Sequence, residues 1–509
     1  MNMAGMWYNV DRTYKEVLER ICDMKKMHKL ICLFLAMLMT VSLFACGDAG
    51  DTGSETEQAA VEVETEVETD ELEARQAIPD DLPEKDFEGY EFRILTYSPA
   101  AYFVEELTGD VVEDSKYDRQ VHISERFNAE IAVRASAGIA ELDKELRASV
   151  TAGDDAYDIA IPHQITSGPG FITSHMILDW NDVPYIDYAK PWWNQRINET
   201  INIMNKQFYI AGYVTMPTPF AMFVNKAFVT DYGFEDIYGL VKEYRWTFDK
   251  LTEMAVATTV DLNGDGEMTH DADQFGITYN NDNMTLNFMY SSGILSVLID
   301  DEGKPVPNTF NDKMLAVVEG IYYLSHESKA CIFDTYDTQG KQGQPAFAEG
   351  RVMFRAGSVG DLVSLRESEL DIGLIPYPMW DEDQGYYATH VDAWNGMLCI
   401  PVTAADVERT GVIVEAMAAY TYKYCIPAYY DVALGTKFVR DTESTEMLDM
   451  IFDSVVYDFG YIFDSWKGCT WTLPRLMVKG STDLASYWKS IEKTISKHYE
   501  DLYKAVAEE

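Results

Sequence analysis

Between residues 89 and 161, strand patterns alternate with helical patterns, which limits the possible folds more than any other feature of the chain. Apolar residues alternate with polar ones or run together in short segments, at 90–94, 129–133 and 157–161. Between the last two segments, Leu142, Leu146 and Val150 recur at helical spacing, and Gly153 is placed to end that helix. This βαβαβ order predicts an α/β fold with a parallel sheet flanked by helices.

In a sheet of this kind, ligands bind outside the carboxyl ends of the strands. Tyr97 follows the first predicted strand, and His163 and Gln164 follow the third. Because the carboxyl ends of parallel strands share one edge of the sheet, these three side chains are predicted to contact a ligand.

The start of the chain has the order of an export signal. Lysines precede an apolar run at 30–45, which is shorter than the ~20 residues that span a bilayer and is followed directly by Cys46. A cysteine in this place is predicted to carry lipid, and two acyl chains hold a protein durably to a membrane. We therefore assign 1–45 as a signal peptide, within which Met24 or Met27 is a more natural start than the first residue.

Residues 46–88 are acidic and contain little apolar surface. Glu62, Glu64, Glu66 and Glu68 alternate with Val and Thr, but repulsion among like charges favours disorder over a strand. The segment is predicted to be a flexible tether between a lipidated Cys46 and a folded part on the extracytoplasmic face of the cell membrane.

Composition excludes several classes of function. The formal net charge of -45 opposes the binding of nucleic acids and of anionic ligands. The chain contains no HExxH, GxSxG, P-loop or GxGxxG motif, so no catalytic residue is predicted. The cysteines beyond Cys46 are widely spaced, which favours buried thiols but leaves a disulfide open: Cys331, Cys399, Cys425 and Cys469.

A series of short motifs along the folded part resembles the extracellular solute-binding proteins of family 1, the sugar-binding group of ABC importers. Each motif is weak alone, but their order and spacing agree with the family. The matching segments are Tyr117-Asp118-Arg119, Glu125-Arg126-Phe127-Asn128, Tyr157-Asp158-Ile159, Phe223-Val224-Asn225-Lys226-Ala227-Phe228 with Gly233, Trp246 to Leu251, Phe347 to Met353 and Ile372 to Pro378.

The resemblance implies a two-lobed fold of the type II periplasmic-binding-protein kind, with several crossings between the lobes. Lobe 1 would comprise 89–214 and 379–427, and lobe 2 would comprise 215–378 and 428–509. The crossings are expected near 211–219, 377–385 and 424–430. Spacing at Met447, Ile451 and Val455 predicts helices in the last 80 or so residues.

The resemblance also implies a function. The chain is expected to be a monomeric, non-enzymatic lipoprotein that captures a small ligand, a mono- or oligosaccharide, by closing its lobes and delivers it to an ABC permease. Three alternatives stay open at this point: a peptide, polyol or other solute in place of the sugar, a secreted enzyme acting on polysaccharides, and a surface adhesion module.

Sugars present apolar C–H faces and hydroxyl groups, so their sites pair aromatic rings with polar side chains. Trp394 is the first predicted platform, with Asp392 and Asn395 as hydroxyl partners, and Trp466 and Trp471 form a second cluster.

Two further segments contain residue types that often contact ligands. Ser358 lies in a Gly-rich turn that follows a predicted strand and is expected to open a helix, whose N–H groups could bind a ligand oxygen. Trp192 and Trp193 follow a proline and are expected to be structural.

One loop has the spacing of a calcium site. Oxygen ligands at positions 1, 3 and 5 followed by a glycine are typical of an EF-hand-like loop, but position 12 is Ala272, where an acidic residue is usual. The predicted structural Ca²⁺ ligands are Asp261, Asn263, Asp265, Glu267, Asp271 and Asp273.

Overall fold

The computed structural model describes residues 72–508 except 100–102, 213–217, 336, 339, 362–364, 366–367, 392–396, 430–441 and 465–467. The predicted signal peptide, the lipid site Cys46 and most of the acidic tether therefore lie outside the described residues. So do the candidate ligand residues Asp392, Trp394, Asn395 and Trp466.

Strands and helices alternate along most of the described chain. The strands are β1 Tyr90–Thr96, β2 Ala129–Ala135, β3 Ile159–Ile161, β4 Phe220–Asn225, β5 Phe275–Asn280, β6 Val297–Ile299, β7 Pro305–Pro307, β8 Cys331–Asp334, β9 Val352–Ser358 and β10 Ile372–Ile375. The α-helices are α1 Val111–Phe127, α2 Ile139–Ala152, α3 Gln164–Ile172, α4 Gln195–Thr200, α5 Lys226–Asp231, α6 Ile237–Lys242, α7 Phe248–Ala257, α8 Asn283–Ser291, α9 Asp312–Tyr322, α10 Gly343–Ala348, α11 Val407–Tyr420, α12 Thr442–Asp453, α13 Phe459–Phe463, α14 Thr472–Lys479 and α15 Leu484–Ala507.

The first sheet has the strand order β2-β1-β3 and is parallel, so the predicted βαβαβ unit is confirmed. Gly153 ends α2 in the left-handed conformation with φ 73°, as its position predicted. Antiparallel bridges extend this sheet, from Ala160 to Cys399 and from Ile210 to Leu398. A segment near residue 400 thus joins the sheet built from 90–161.

The second sheet has the order β10-β4-β9-β5-β8. Strands β5, β8 and β9 are mutually parallel, whereas β4 is antiparallel to β9 and β10. The carboxyl ends of β5, β8 and β9 therefore lie at one edge, at Asn280, Asp334 and Ser358. The start of β4 lies at the same edge, because Phe220 pairs with Ser358.

The C-terminal helices pack against the second sheet and against the helix that follows the first sheet. The predicted helix around Met447 and Ile451 is confirmed as α12, which packs against β10. Helix α13 packs against α3, which follows the first sheet, and against β6. The contact with α3 is close, because a Cβ at Gly168 would lie 2.9 Å from the carbonyl oxygen of Ile462.

The turn after β9 differs from its prediction. Strand pairing with β4 continues through Ser358, and a short 3-10 turn at Val359–Asp361 follows directly. The Gly-rich turn therefore does not place Ser358 at a helix N-terminus as expected, because pairing across the sheet holds this residue in the strand.

Two further observations concern the folded part. Cys399, Cys425 and Cys469 are buried and Cys331 is half-buried, and these four described cysteines are unpaired. No helix among the described residues combines the length and apolar composition that a membrane-spanning segment requires.

Candidate functional site

A polar crevice lies at the carboxyl edge of the second sheet. Its cavity volume is about 10 Å³, which is room for roughly one water-sized group such as a hydroxyl. Its polar wall consists of Asn280 at the end of β5, Asp334 at the end of β8, Arg355 in β9 and Gln344 in α10. Carboxylate, amide and guanidinium groups converge here, so the crevice can both accept and donate hydrogen bonds to a small ligand.

Arg355 is held in place by an ion pair at the base of this edge. Its Nη2 donates to Oδ2 of Asp361 over 2.7 Å, and its guanidinium lies 5.4 Å from the ring centre of Phe223. Burial raises the pKa of the Asp361 carboxyl and lowers that of the Arg355 guanidinium, and the ion pair opposes both shifts. The pair thus fixes the direction of the remaining N–H groups of Arg355.

An aromatic cluster surrounds the buried side chain of His390. Its ring centre lies 4.9 Å from that of Phe220, nearly parallel, and 4.9 Å from that of Tyr290. Tyr461 contacts it edge-on at 5.0 Å, and Trp471 lies 6.1 Å beyond Tyr461. Four separate parts of the chain supply these rings, so the cluster forms only in the folded protein.

His390 is neutral in this environment. Burial lowers the pKa of its imidazole to about 3. Its ring nitrogens lie 3.3 Å from Oδ1 of Asn287 and 3.4 Å from Oδ1 of Asn283, and Tyr461 also donates to Asn283 over 3.0 Å. The amides of α8 therefore orient both aromatic side chains.

Helix α8 connects the crevice with the aromatic cluster. It begins three residues after β5 ends, and Met284 in its first turn lines the crevice. Asn283 and Asn287 of the same helix contact the aromatic cluster. Polar groups and rings thus meet around the N-terminal half of one short helix.

The carboxyl edge of the first sheet brings together two of the predicted ligand residues. The rings of Tyr97 and His163 lie 5.9 Å apart, after β1 and β3 respectively, and Thr166 Oγ1 lies 3.2 Å from Nδ1 of His163. Burial lowers the pKa of His163 to about 4, so its imidazole is neutral near pH 7. Gln164 begins α3 beside this pair, and its side chain lies outside the described residues.

The remaining predicted ligand residues relate to the aromatic cluster as follows. The segment with Asp392, Trp394 and Asn395 lies outside the described residues but begins two positions after His390. Trp466 is likewise outside them, five positions after Tyr461. Trp471 is 2% exposed and packs in the aromatic cluster, and Ser358 is half-buried at the end of β9. The ligand-binding roles of Trp394, Trp466, Trp471 and Ser358 stay predictions.

Sequence reasoning missed several polar and aromatic members of these groups. They are Asn280, Asp334, Gln344, Arg355, Asn283, Asn287, His390 and Tyr461. One signal was available, since Asp334 ends the apolar pattern of β8 in the way that Tyr97 and His163 follow their strands. The others become recognisable only when the strand order is known.

The predicted calcium loop closes on itself through hydrogen bonds. Asp261 accepts from the backbone N–H groups of Gly264 and Gly266, and buried Asp273 accepts from those of Leu262 and Thr269. Within the described residues, no three or more acidic, histidine or cysteine side chains form a group that could hold a metal ion. The assignment of Ca²⁺ to this loop stays a prediction.

Comparison with solved structures identifies the class of fold. The galacto-N-biose-/lacto-N-biose I-binding protein of the ABC transporter from Bifidobacterium longum matches with a TM-score of 0.57 at 13% identity, over 82% of this chain and 99% of that one. A family 1 extracellular solute-binding protein from Bifidobacterium longum subsp. infantis matches with a TM-score of 0.52 at 15% identity, over 79% and 99%. UgpB from Mycobacterium tuberculosis, solved with glycerophosphocholine, matches with a TM-score of 0.53 at 13% identity, over 81% and 98%.

The chain therefore has the type II periplasmic-binding-protein-like fold, as predicted. Its structural neighbours are binding proteins of ABC transporters, the class to which the sequence motifs point. No protein-family model matches the sequence, and no curated protein matches it significantly.

Proposed function

We propose that the protein is the extracytoplasmic solute-binding component of an ABC importer and that it captures a carbohydrate. One observation carries the proposal: a polar crevice and an aromatic cluster meet at α8, beside the carboxyl edge of the second sheet. Sugar hydroxyls need hydrogen-bond partners, which the polar wall of the crevice offers, and sugar C–H faces need apolar surface, which Tyr279 and Met284 add to its lining. The fold and its neighbours support the same reading.

The mechanism that we infer is closure of the two lobes around the ligand. The lobe 1 edge, with Tyr97 and His163, and the lobe 2 edge, with Asp334 and Arg355, would then contact opposite sides of the sugar. A ligand that binds both edges favours the closed form by its differential affinity for that form. The permease would recognise the closed form.

The remaining expectations belong to the same proposal. A lipid on Cys46 would hold the protein at the outer face of the membrane, the acidic tether would separate it from the bilayer, and the protein would act as a monomer without enzymatic activity. Mass spectrometry of the membrane-extracted protein tests the anchor, because diacylation adds a mass that Cys46→Ser abolishes.

Binding is tested with purified protein and a panel of mono- and oligosaccharides. We expect at least one sugar to raise the melting temperature, because a ligand that binds only the folded state stabilises it by mass action. Glycerophosphocholine, a polyol and a short peptide form the arms for the alternative ligand classes. A shift with one of these and with no sugar would contradict the carbohydrate assignment, and release of cleaved products would indicate an enzyme.

The calcium assignment has a separate test. If Asp261, Asn263 and Asp265 bind structural Ca²⁺, EDTA lowers the melting temperature and added Ca²⁺ restores it, because bound metal stabilises the folded state. Asp265→Ala should abolish this response, whereas Asp301→Ala, in the exposed turn after β6, should retain it. An unchanged melting temperature in both EDTA and Ca²⁺ would show that the loop is a turn without metal.

A further inference from the structure

One oxygen of the Asp334 carboxylate has no hydrogen-bond partner within the described part of the chain, although the residue is only 1% exposed. Its Oδ2 accepts from the backbone N–H of Gly343 over 2.9 Å, whereas Oδ1 is buried and has no partner among the described residues. Leaving such an acceptor unsatisfied costs about 1–3 kcal/mol or more when the group is charged. A native site that retains this arrangement therefore points to a donor from outside the chain.

Asp334 lines the polar crevice, and close packing holds its carboxylate in place. A Cβ at Gly343 would lie 1.7 Å from Oγ1 of Thr278 and 3.0 Å from Oδ2 of Asp334, so the start of α10 approaches as closely as glycine allows. The backbone N–H of Asn281 donates to the Asp334 carbonyl, and the Asn281 side-chain nitrogen is also buried without a partner among the residues that the structure describes. An unsatisfied acceptor and an unsatisfied donor thus lie at the ends of two adjacent strands, β8 and β5.

The crevice has a side chain that an incoming ligand can displace. Gln344 lines the crevice but is exposed. Its side-chain nitrogen lies beside the turn at Gly340, 3.1 Å from the position that a Cβ on this glycine would occupy. Rotation of one exposed glutamine costs little compared with movement of the strands. Displacement of Gln344 would therefore be the route by which a small polar group reaches the buried carboxylate.

The chemistry of the surrounding groups selects the kind of ligand. Asp334 only accepts hydrogen bonds, and Arg355 only donates them. Two carboxylates, Asp334 and Asp361, accompany one guanidinium, so the crevice has an excess of negative charge that disfavours phosphate and carboxylate groups. Adjacent hydroxyl groups fit best, because each hydroxyl can donate to Asp334 and accept from Arg355.

We propose that Asp334 is the anchor for a hydroxyl group of a neutral sugar ring, with Arg355 as the donor to the neighbouring hydroxyl oxygen. This inference rests on the proposed function, and it adds that the Asp334 side chain selects the ligand through one of its hydroxyl groups. Ligands without a free hydroxyl pair at one end, or with an acidic group there, would be rejected by this crevice.

The test measures the dissociation constant of the best sugar from the wild-type panel by calorimetry. Asp334→Asn should weaken binding about 10–100-fold, the range for a lost hydrogen bond to a charged group. Asp301→Asn, an exposed aspartate away from the crevice, is the matched control and should bind like wild type. The melting temperature of ligand-free Asp334→Asn should stay close to that of wild type, because the asparagine oxygen can still accept from the N–H of Gly343.

A series of deoxy sugars then identifies the hydroxyl. One deoxy analogue should bind about 10–100-fold more weakly to wild type but lose little further affinity in Asp334→Asn, because both changes remove the same hydrogen bond. Equal affinity of wild type and Asp334→Asn for the parent sugar would overturn the inference and leave water as the occupant. A wild-type protein that binds no sugar at all would contradict the proposed function itself. If Asp334→Asn does not fold, Asp334→Ser provides the same comparison.

Discussion

Replacing Asp158 with asparagine should lower the free energy of unfolding by about 3–5 kcal/mol, because two arginines would lose their buried counter-ion. Asp158 is fully buried, and its carboxylate lies 3.0 Å from Nε of Arg93 and 3.4 Å from Nη2 of Arg409. It also accepts from the hydroxyl of Tyr90 over 3.0 Å and from the backbone N–H of Arg93 over 2.8 Å. An asparagine amide would place a donor against at least one of these donors.

Urea unfolding measures this effect, and the same network supplies a control. Asp155 pairs with Arg93 over 3.0 Å, but its side chain is 40% exposed. Asp155→Asn should therefore cost less than about 1 kcal/mol, as exposed ion pairs do. Equal losses of unfolding free energy for the two variants would contradict the prediction, because they would show that burial of Asp158 does not strengthen its ion pairs.

The free energy of unfolding should fall as the pH rises from about 5 to 7, because Glu415 holds a proton in the folded protein. The carboxylate is fully buried in α11, where Oε1 and Oε2 accept from the indole N–H groups of Trp192 and Trp193, each over 2.7 Å. Burial raises its pKa from 4.5 to about 7, although the two indoles favour the charged form.

The direction follows from proton binding. Between pH 4.5 and 7 the folded protein holds a proton on Glu415 that the unfolded chain has released, so stability falls by about 3 kcal/mol across this window. In Glu415→Gln this contribution disappears, although the variant loses one indole hydrogen bond at every pH. The measurement is the difference in unfolding free energy between wild type and variant as a function of pH.

The comparison of wild type with Glu415→Gln is necessary because other buried groups also titrate. Burial raises the pKa of Asp464 to about 7 and lowers that of His163 to about 4, and both affect the wild-type curve. Glu408→Gln, an exposed substitution on the same helix, should leave the pH dependence unchanged. A difference curve for Glu415→Gln that is flat between pH 5 and 7 would disprove the assignment.

Much of the fold was predictable where structure depends on neighbours in sequence. The β1 to β3 region follows from periods of two and 3.6 residues, which report directly which side chains face a core. The expectation that Trp192 and Trp193 are structural agrees with their burial. Their partner Glu415 could not be predicted, because it lies more than 200 residues away and meets them only through the packing of α11.

The site was less predictable than the fold. The proximity of Tyr97 and His163 was predictable because each follows a strand of a recognisable parallel unit, whereas their contact with a ligand stays a prediction. Asp334 and Arg355 were missed because the second sheet is mixed, so sequence order does not indicate which strand ends share an edge. The expected helix start at Ser358 failed for a related reason, since pairing with β4 extends the strand.

The sequence alone determined the α/β class, and it predicts the export signal, the acidic tether and the aromatic, acidic character of a carbohydrate-binding candidate. These properties depend on composition and on contacts within a few residues. Tertiary structure alone decided which polar groups converge on the crevice and which oxygen of Asp334 has no partner among the described residues. Those facts depend on strand order and on close approaches such as that of Gly343 to Thr278. No local sequence pattern predicts either of them.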